Sequence, residues 1–548
     1  MSRAFPGVAL AFSMLLGAMV AACQGCHTPP AATVDASEEP APTHPAVRLY
    51  VLSNIAGALE PCGCTKDQLG GIHHLAAFFD AERSAAPNTL IVGAGPMLFG
   101  EPTLGATEQT QQSWKADTLA TAFKQLGLVG WAPGVNDWAA GAEFLGKAVA
   151  ASGATLLAGN VDASPRPVPV VVREVGGLKI ALIGVADPRN REGKLPAGVS
   201  TKPAVAAMRE GLAEAKRQGA RVFVGVAAVA RGEALRLADA FPELNVLVIG
   251  KSVEAGHAND APKAPMQLGN TLVVETSNHL QSVAVVDLFV RGSTAGDTPI
   301  QFADAGGVSR AEELVSLAGR IRELETRIQS WEKGGGVKAE DLAARKTDLE
   351  KLRIEKAKLE EPAPAPSGSF FRYKLVEVRE KLGTEPNVKK QIAEYYKRVN
   401  EHNKTAFADR KPAPVGKKEA AYIGVEECTN CHDEERKVWD GTPHSHAYKT
   451  LQDDFKEYNL DCVNCHVTGY DKPGGSTVTF VDKLKDVQCE ECHGPGSLHA
   501  KDPNKKGLIT LKPDPQSCVA QCHHPPHVES FDPVAKMELI LGPGHGKD

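Results

Sequence analysis

Three short repeats near the C-terminus constrain this chain more than anything else in it. "CTNCH" (Cys428, Cys431, His432), "CVNCH" (Cys462, Cys465, His466) and "CEECH" (Cys489, Cys492, His493) follow one another within a single segment. Each supplies two thiols, spaced to form thioethers with the two vinyl groups of one porphyrin, and a histidine directly afterwards to ligate its iron. A single copy also fits one half of a zinc site or chance. Three in tandem, on a chain that begins with an export signal, point to covalently bound haem c. A fourth candidate, "CVAQCHHPPH", has three residues between Cys518 and Cys522 before His523. The longer loop must bulge for both sulfurs to reach one porphyrin, and a disulfide or a free thiol pair is the competing reading. The expectation is four haem c groups, with His432, His466, His493 and His523 as proximal ligands.

The same segment carries spare histidines. His444, His499, His527 and His545 are the expected distal ligands, and His446 and His524 rank below them. Two axial imidazoles make a coordinatively closed, low-potential electron carrier. For any one of these residues the competing reading is a solvated loop histidine.

The N-terminus has Arg3, an apolar run from Val8 to Val20 and then small residues, the pattern of a secretory signal over residues 1–22. "VAACQGCH" ends that run and contains one more Cys-x-x-Cys-His. Val20-Ala21-Ala22-Cys23 also resembles the bacterial lipobox, whose cysteine is acylated. Ordinary signal-peptidase cleavage at the same place is the alternative. A Cys23 sulfur bonded to lipid is not available to haem, and the Pro-, Ala- and Thr-rich residues 23–46 offer nothing to bury a porphyrin, so they read as a tether. Gln24 after the cysteine points to the outer membrane. The expected location is therefore the bacterial periplasm, as a lipid-anchored protein with redox proteins as partners. A formal charge of −6 gives no basic footprint for nucleic acid. No apolar stretch after residue 22 is long enough to span a bilayer.

"YIGVEECTNCHDEERKVWDGTPHSHA", "VQCEECHGPGSLH" and "CHHPPHVESFDP" resemble the tetrahaem cytochrome c-554 family over residues 420–548. The resemblance implies a mostly helical domain of stacked haems, several held by two histidines and one with an open face. The porphyrins would supply much of its apolar interior. The extra residue between Cys518 and Cys522 departs from the family's pattern.

Residues 47–300 alternate β-branched apolar runs such as "VRLYVLSN", "GLKIALIGVAD" and "NVLVIGKS" with helical patterns such as "PAVAAMREGLAEAKRQG". That alternation predicts a layered α/β domain. "LLAGNVDAS", "GLKIALIGVADP" and "FPELNVLVIGKS" resemble the calcineurin-like metallophosphatase fold of 5′-nucleotidases. The resemblance implies two metals at the strand ends, and the matching positions are poorly equipped to hold them. Asn54-Ile55-Ala56 stands for Asp-x-His, Pro96 for a bridging Asp, and Asn136-Asp137 for Asn-His. A ligand histidine is missing near Ala228, and Gly250-Lys251-Ser252-Val253 replaces Gly-His-x-His. Two divalent cations need several anionic or imidazole donors, so the reading is a metal-free scaffold with hydrolysis disfavoured. In place of ligands the chain has "EPCGC", a motif resembling one subgroup of these domains. Its Cys62 and Cys64 are a candidate redox pair near His73 and His74, and a structural disulfide is the competing reading.

"LVSLAGRIRELETRIQSW" and "LAARKTDLEKLRIEKAKL", parted by glycines, predict a coiled-coil hairpin over 308–361, and 368–419 a helical connector. The fold class expected is thus multidomain: an α/β layer, a helical hairpin and a mostly α multihaem region. The leading function is electron carriage. The alternatives are a haem redox enzyme acting on a small nitrogen or sulfur compound, and a phosphoester hydrolase. No catalytic residue is assigned.

Overall fold

Along the strands of the α/β region, alternate side chains enter different layers. In a computed structural model, Ile180, Leu182, Val222, Val224, Val246 and Val248 face one apolar cluster. Their neighbours Ala181, Ile183, Phe223, Leu247 and Ile249 face another. This is the period-two consequence of the pleat, with both faces buried. The structure describes residues 41–61, 68–254, 258–294, 296, 298–334, 337–524, 528, 531–542 and 544–545.

Two sheets share the first cluster. One has seven strands, in the spatial order Ala303–Asp304, Phe370–Glu377, Ser282–Phe289, Val47–Ser53, Thr89–Ala94, Leu128–Ala132 and Thr155–Leu156. The other has six, running Met266–Leu268, Thr271–Val274, Val246–Gly250, Val222–Ala228, Leu178–Ala186 and Val170–Val175. Helices Ala204–Arg217 and Arg231–Ala240 cover the second sheet through Met208, Leu212, Ala234 and Leu237. Helices Ile72–Glu82 and Gln109–Leu126 join the first cluster through Leu75, Phe79, Leu119 and Phe123. Gln109–Leu126 stops at Gly127, whose φ of 83° lets its N–H reach the Phe123 and Lys124 carbonyls.

The segment expected to be a helical connector is helical only in part. Phe370–Glu377 is a strand, paired antiparallel with Ser282–Phe289 at eight positions, so the α/β sheet does not end near residue 300. The β-forming run "FFRYKLVE" accounts for this, and the Pro-rich stretch before it conceals the sheet's continuation. Helix Pro386–Ala406 follows, capped by the Glu385 carboxylate, which accepts from the Asn387 and Val388 amides. Its Val388, Ile392, Tyr395 and Val399 sit at helical spacing in the α/β core.

Helices Gly307–Gly334 and Ala339–Glu360 leave the sheet and return to it. Arg353 pairs with Glu325 and Lys346 with Glu332, a register in which the two run antiparallel. Ile321, Ile328 and Leu349 are buried between them.

Beyond residue 420 the chain forms short helical turns joined by loops. Its apolar cluster consists of Tyr448, Val463, Val467 and Val481, with Tyr470 packed alongside. That is a small polypeptide core for a region of this length.

Candidate haem-binding region

Each motif has at least one cysteine in a short helical turn. Cys428 lies in Val425–Thr429, Cys465 in the 3-10 turn Val463–Cys465, Cys489, Cys492 and His493 in Cys489–His493, and Cys518 in Gln516–Gln521. In the longer fourth motif the His523 amide donates to the Cys518 carbonyl, so the extra residue is taken up within one turn. All eight cysteines are free. Contacts between thiols cross from motif to motif. The Cys428 and Cys489 thiols lie close enough to perturb each other, which pushes Cys428 up and draws Cys489 down to about 7. Cys465 is likewise paired with Cys522. The first and third motifs therefore adjoin, as do the second and fourth.

The histidines come together across long stretches of sequence. His432 and His499 have ring centroids 6.3 Å apart, His493 and His545 6.4 Å, and His444 and His523 6.2 Å. A metal–imidazole bond is ~2.0 Å and the nitrogen stands a further ~1.1 Å from its ring centre, so imidazoles on opposite sides of one metal have centroids roughly 6.2 Å apart. Each pair joins a motif histidine to one of the expected distal ligands. The donor set and its spacing fit a haem iron. A structural zinc instead needs about four ligands around one point, and among the described residues no three His, Cys, Asp or Glu are so gathered. Cys23, Cys62, Cys64 and His527 lie outside the described residues.

Second contacts orient the rings. His466 Nδ1 is 2.6 Å from the Ala447 carbonyl, and His493 Nδ1 is 2.6 Å from that of Thr510. A carbonyl only accepts, so Nδ1 carries the proton and Nε2 keeps its lone pair for a metal. Burial pushes the His444 and His466 imidazoles down. Burial, with His444 and His524 nearby, brings His523 to about 4. The region thus favours the neutral form that binds iron.

The sequence reading missed the clamp between motifs. Glu490, an interior residue of the third motif and 1% exposed, accepts from the Ile423, Gly424 and Gly496 amides. The adjacent Glu491 accepts from the Gly469 amide beyond the second motif, and Gln488 from Val425 ahead of the first. The variable positions of one motif thus hold the other two. The placement of Glu490 and Glu491 between two cysteines was the available signal.

Comparison with known proteins bears on this geometry. Residues 427–494 match the family model described as cytochrome c554 and c-prime. The C-terminal region resembles cytochrome c554. The chain is 33% identical over 105 residues to cytochrome c-554 of Nitrosomonas europaea, an alignment covering 16% of this chain and 45% of that protein. The chain thus spans less than half the length of this curated relative. The fourth motif lies beyond the segment that the cytochrome c554 model matches.

Among solved structures, a 5′-nucleotidase precursor from Thermus thermophilus is similar at a TM-score of 0.44 and 16% identity, covering 69% of this chain and 61% of that one. The NAD nucleotidase of Haemophilus influenzae is similar at 0.42 and 14%, covering 80% and 74%.

In the α/β region, the residues standing in place of a dinuclear centre lie at the strand ends and are bonded within the protein. Asn54 Oδ1 accepts from the Lys251 amide at 2.7 Å. Asn136 donates to the Phe99 and Glu254 carbonyls. Asp137, fully buried, accepts from the Met97, Leu98 and Gly134 amides and from the Trp131 indole, and burial still pushes its carboxyl up to about 6. The Lys251 ammonium pairs with Glu254 and Asp260. The space is filled: a Cβ on Gly95 would fall 2.0 Å from Asn54 Oδ1, and one on Gly250 2.2 Å from Ala94. His73 and His74 pack ring against ring at 3.9 Å, and burial, then His74, pushes His73 down to about 4.

Proposed function

We propose that this chain is a multihaem electron carrier of the bacterial envelope, tethered by lipid on Cys23 and exchanging electrons with other redox proteins. Cys428/Cys431, Cys462/Cys465, Cys489/Cys492 and Cys518/Cys522 would attach four haems. His432, His466, His493 and His523 are the proximal ligands, and His499, His545 and His444 are the distal ligands opposite His432, His493 and His523. When bound, haem iron supplies reversible one-electron storage. The chain's own part is to fix the irons, to keep His444, His466 and His523 neutral by burial and to orient His466 and His493 through backbone carbonyls. The carrying observation is the recurrence of one centroid spacing in three histidine pairs assembled from distant loops.

In this reading the α/β region is a scaffold without hydrolytic activity. Support comes from Asn54, Asn136, Asp137 and Lys251, whose polar atoms are engaged with the protein itself. Pyridine haemochrome absorbance with intact-mass analysis tests the carrier: four haems per chain are expected, and colourless mature protein overturns it.

A further inference from the structure

Three nearly buried carboxamides tie the α/β region to the turn that leads into the second motif. Gln111, on helix Gln109–Leu126, is 1% exposed, and Asn403 and Asn459 are each 2% exposed. The Gln111 amide nitrogen donates to Asn459 Oδ1 at 3.2 Å, and its oxygen accepts from Asn403 and from the Leu460 amide, each at 3.0 Å. Asn403 also donates to the Tyr458 carbonyl at 2.8 Å. The Asn459 carbonyl in turn accepts from the Cys462 and Val463 amides. Burying three carboxamides is costly unless they are paired, and a paired network admits few arrangements. The position of Cys462 is therefore set from Gln111.

Charge surrounds the same turn. Lys115, one helical turn on from Gln111, pairs with Asp461 at 2.9 Å, and Gln112 donates to the same carboxylate. On the other flank Lys456 pairs with Glu60 at 2.9 Å. Asp461 immediately precedes Cys462.

We infer that the α/β region forms one wall of the site built on Cys462, Cys465 and His466, and that Lys115 and Asp461 set the reduction potential of the haem held there. This rests on the haem reading above. A charge beside a redox centre favours one of its two oxidation states by Coulomb's law, and the Lys115–Asp461 pair is neutral only while both partners are present. Removing either leaves a lone charge beside one haem, with opposite sign in the two cases. Mere loosening of the fold does not produce such a reversal.

The test is a spectroelectrochemical titration of the full haem-loaded chain, with the second haem's midpoint assigned from the one displaced in His466→Met. Lys115→Gln should move that midpoint to more negative potential and Asp461→Asn to more positive potential, with the other three unchanged. Midpoints that stay put in both variants, that shift with the same sign, or that move together at all four haems overturn the inference. Fewer than four haems in the unmutated chain would overturn the underlying haem reading instead, and haem counting separates the two failures.

Discussion

At the scale of single residues, the proposed distal histidines are separable from haem attachment. His499 and His545 face motif histidines across the spacing of a metal, whereas the thioether sulfurs belong to other residues. His499→Ala or His545→Ala should keep four covalent haems, and each should add one carbon monoxide site in the reduced state, read from the Soret band. Loss of haem with no new site would show that the pairing is wrong. Glu490 acts differently. Its carboxylate satisfies three backbone donors in a place water does not reach. Glu490→Ala leaves them unpaired, at about 1–3 kcal/mol for each buried unsatisfied group. The variant should lower the melting temperature clearly more than truncating the exposed Glu434 does, and equal melting would refute the clamp.

At the scale of elements, Glu60 joins the strand side of the molecule to the haem region through Lys456 and to helix Pro386–Ala406 through Lys389. Burial alone would raise its carboxyl, but the two ammonium groups outweigh burial and hold it near about 2, below its ordinary 4.5. A carboxyl depressed on folding stabilises above the unfolded value and loses that contribution as pH falls through the folded one. The junction should therefore loosen between about pH 4.5 and 2. Faster amide exchange at 456–461 in that window would show it, and Glu60→Gln should remove the acid dependence while weakening the junction at neutral pH. The sequence showed these elements unevenly. Strands such as Leu178–Ala186 were legible because an apolar run bounded by Gly176-Gly177 and Asp187-Pro188 admits few alternatives. Phe370–Glu377 was not, because its partner Ser282–Phe289 lies across two helices and pairing leaves no local mark. Motif histidines were legible from spacing, whereas Gln111 carries no signature until the chain is folded.

At the scale of the whole molecule, the helical hairpin is an excursion between neighbouring strands. It leaves after Ala303–Asp304, and the chain re-enters the same sheet at Phe370, opposite Ala303. Near the sheet it contributes to the core, with Ala311 and Leu317 buried, whereas farther out Ile328 and Leu349 are buried in a separate cluster between the two helices and the ion pairs are solvated. Exposed pairs are each worth ~0–1 kcal/mol, so the outer half adds little to the fold. Its polar contact with the haem region is Lys536 to Ser330. Glu325 and Arg353 stand opposite each other, and helices in contact are about 8–10 Å apart, a gap that a turn of roughly four residues spans. Deleting residues 326–352 and closing 325 to 353 with such a turn should therefore preserve four haems and all four midpoints, with melting lowered by only a few degrees. If the shortened chain lost haem or shifted a midpoint, the outer hairpin would be a working part of the electron carrier and not a brace. A retained haem set with unshifted midpoints would show that the outer hairpin is dispensable for haem binding.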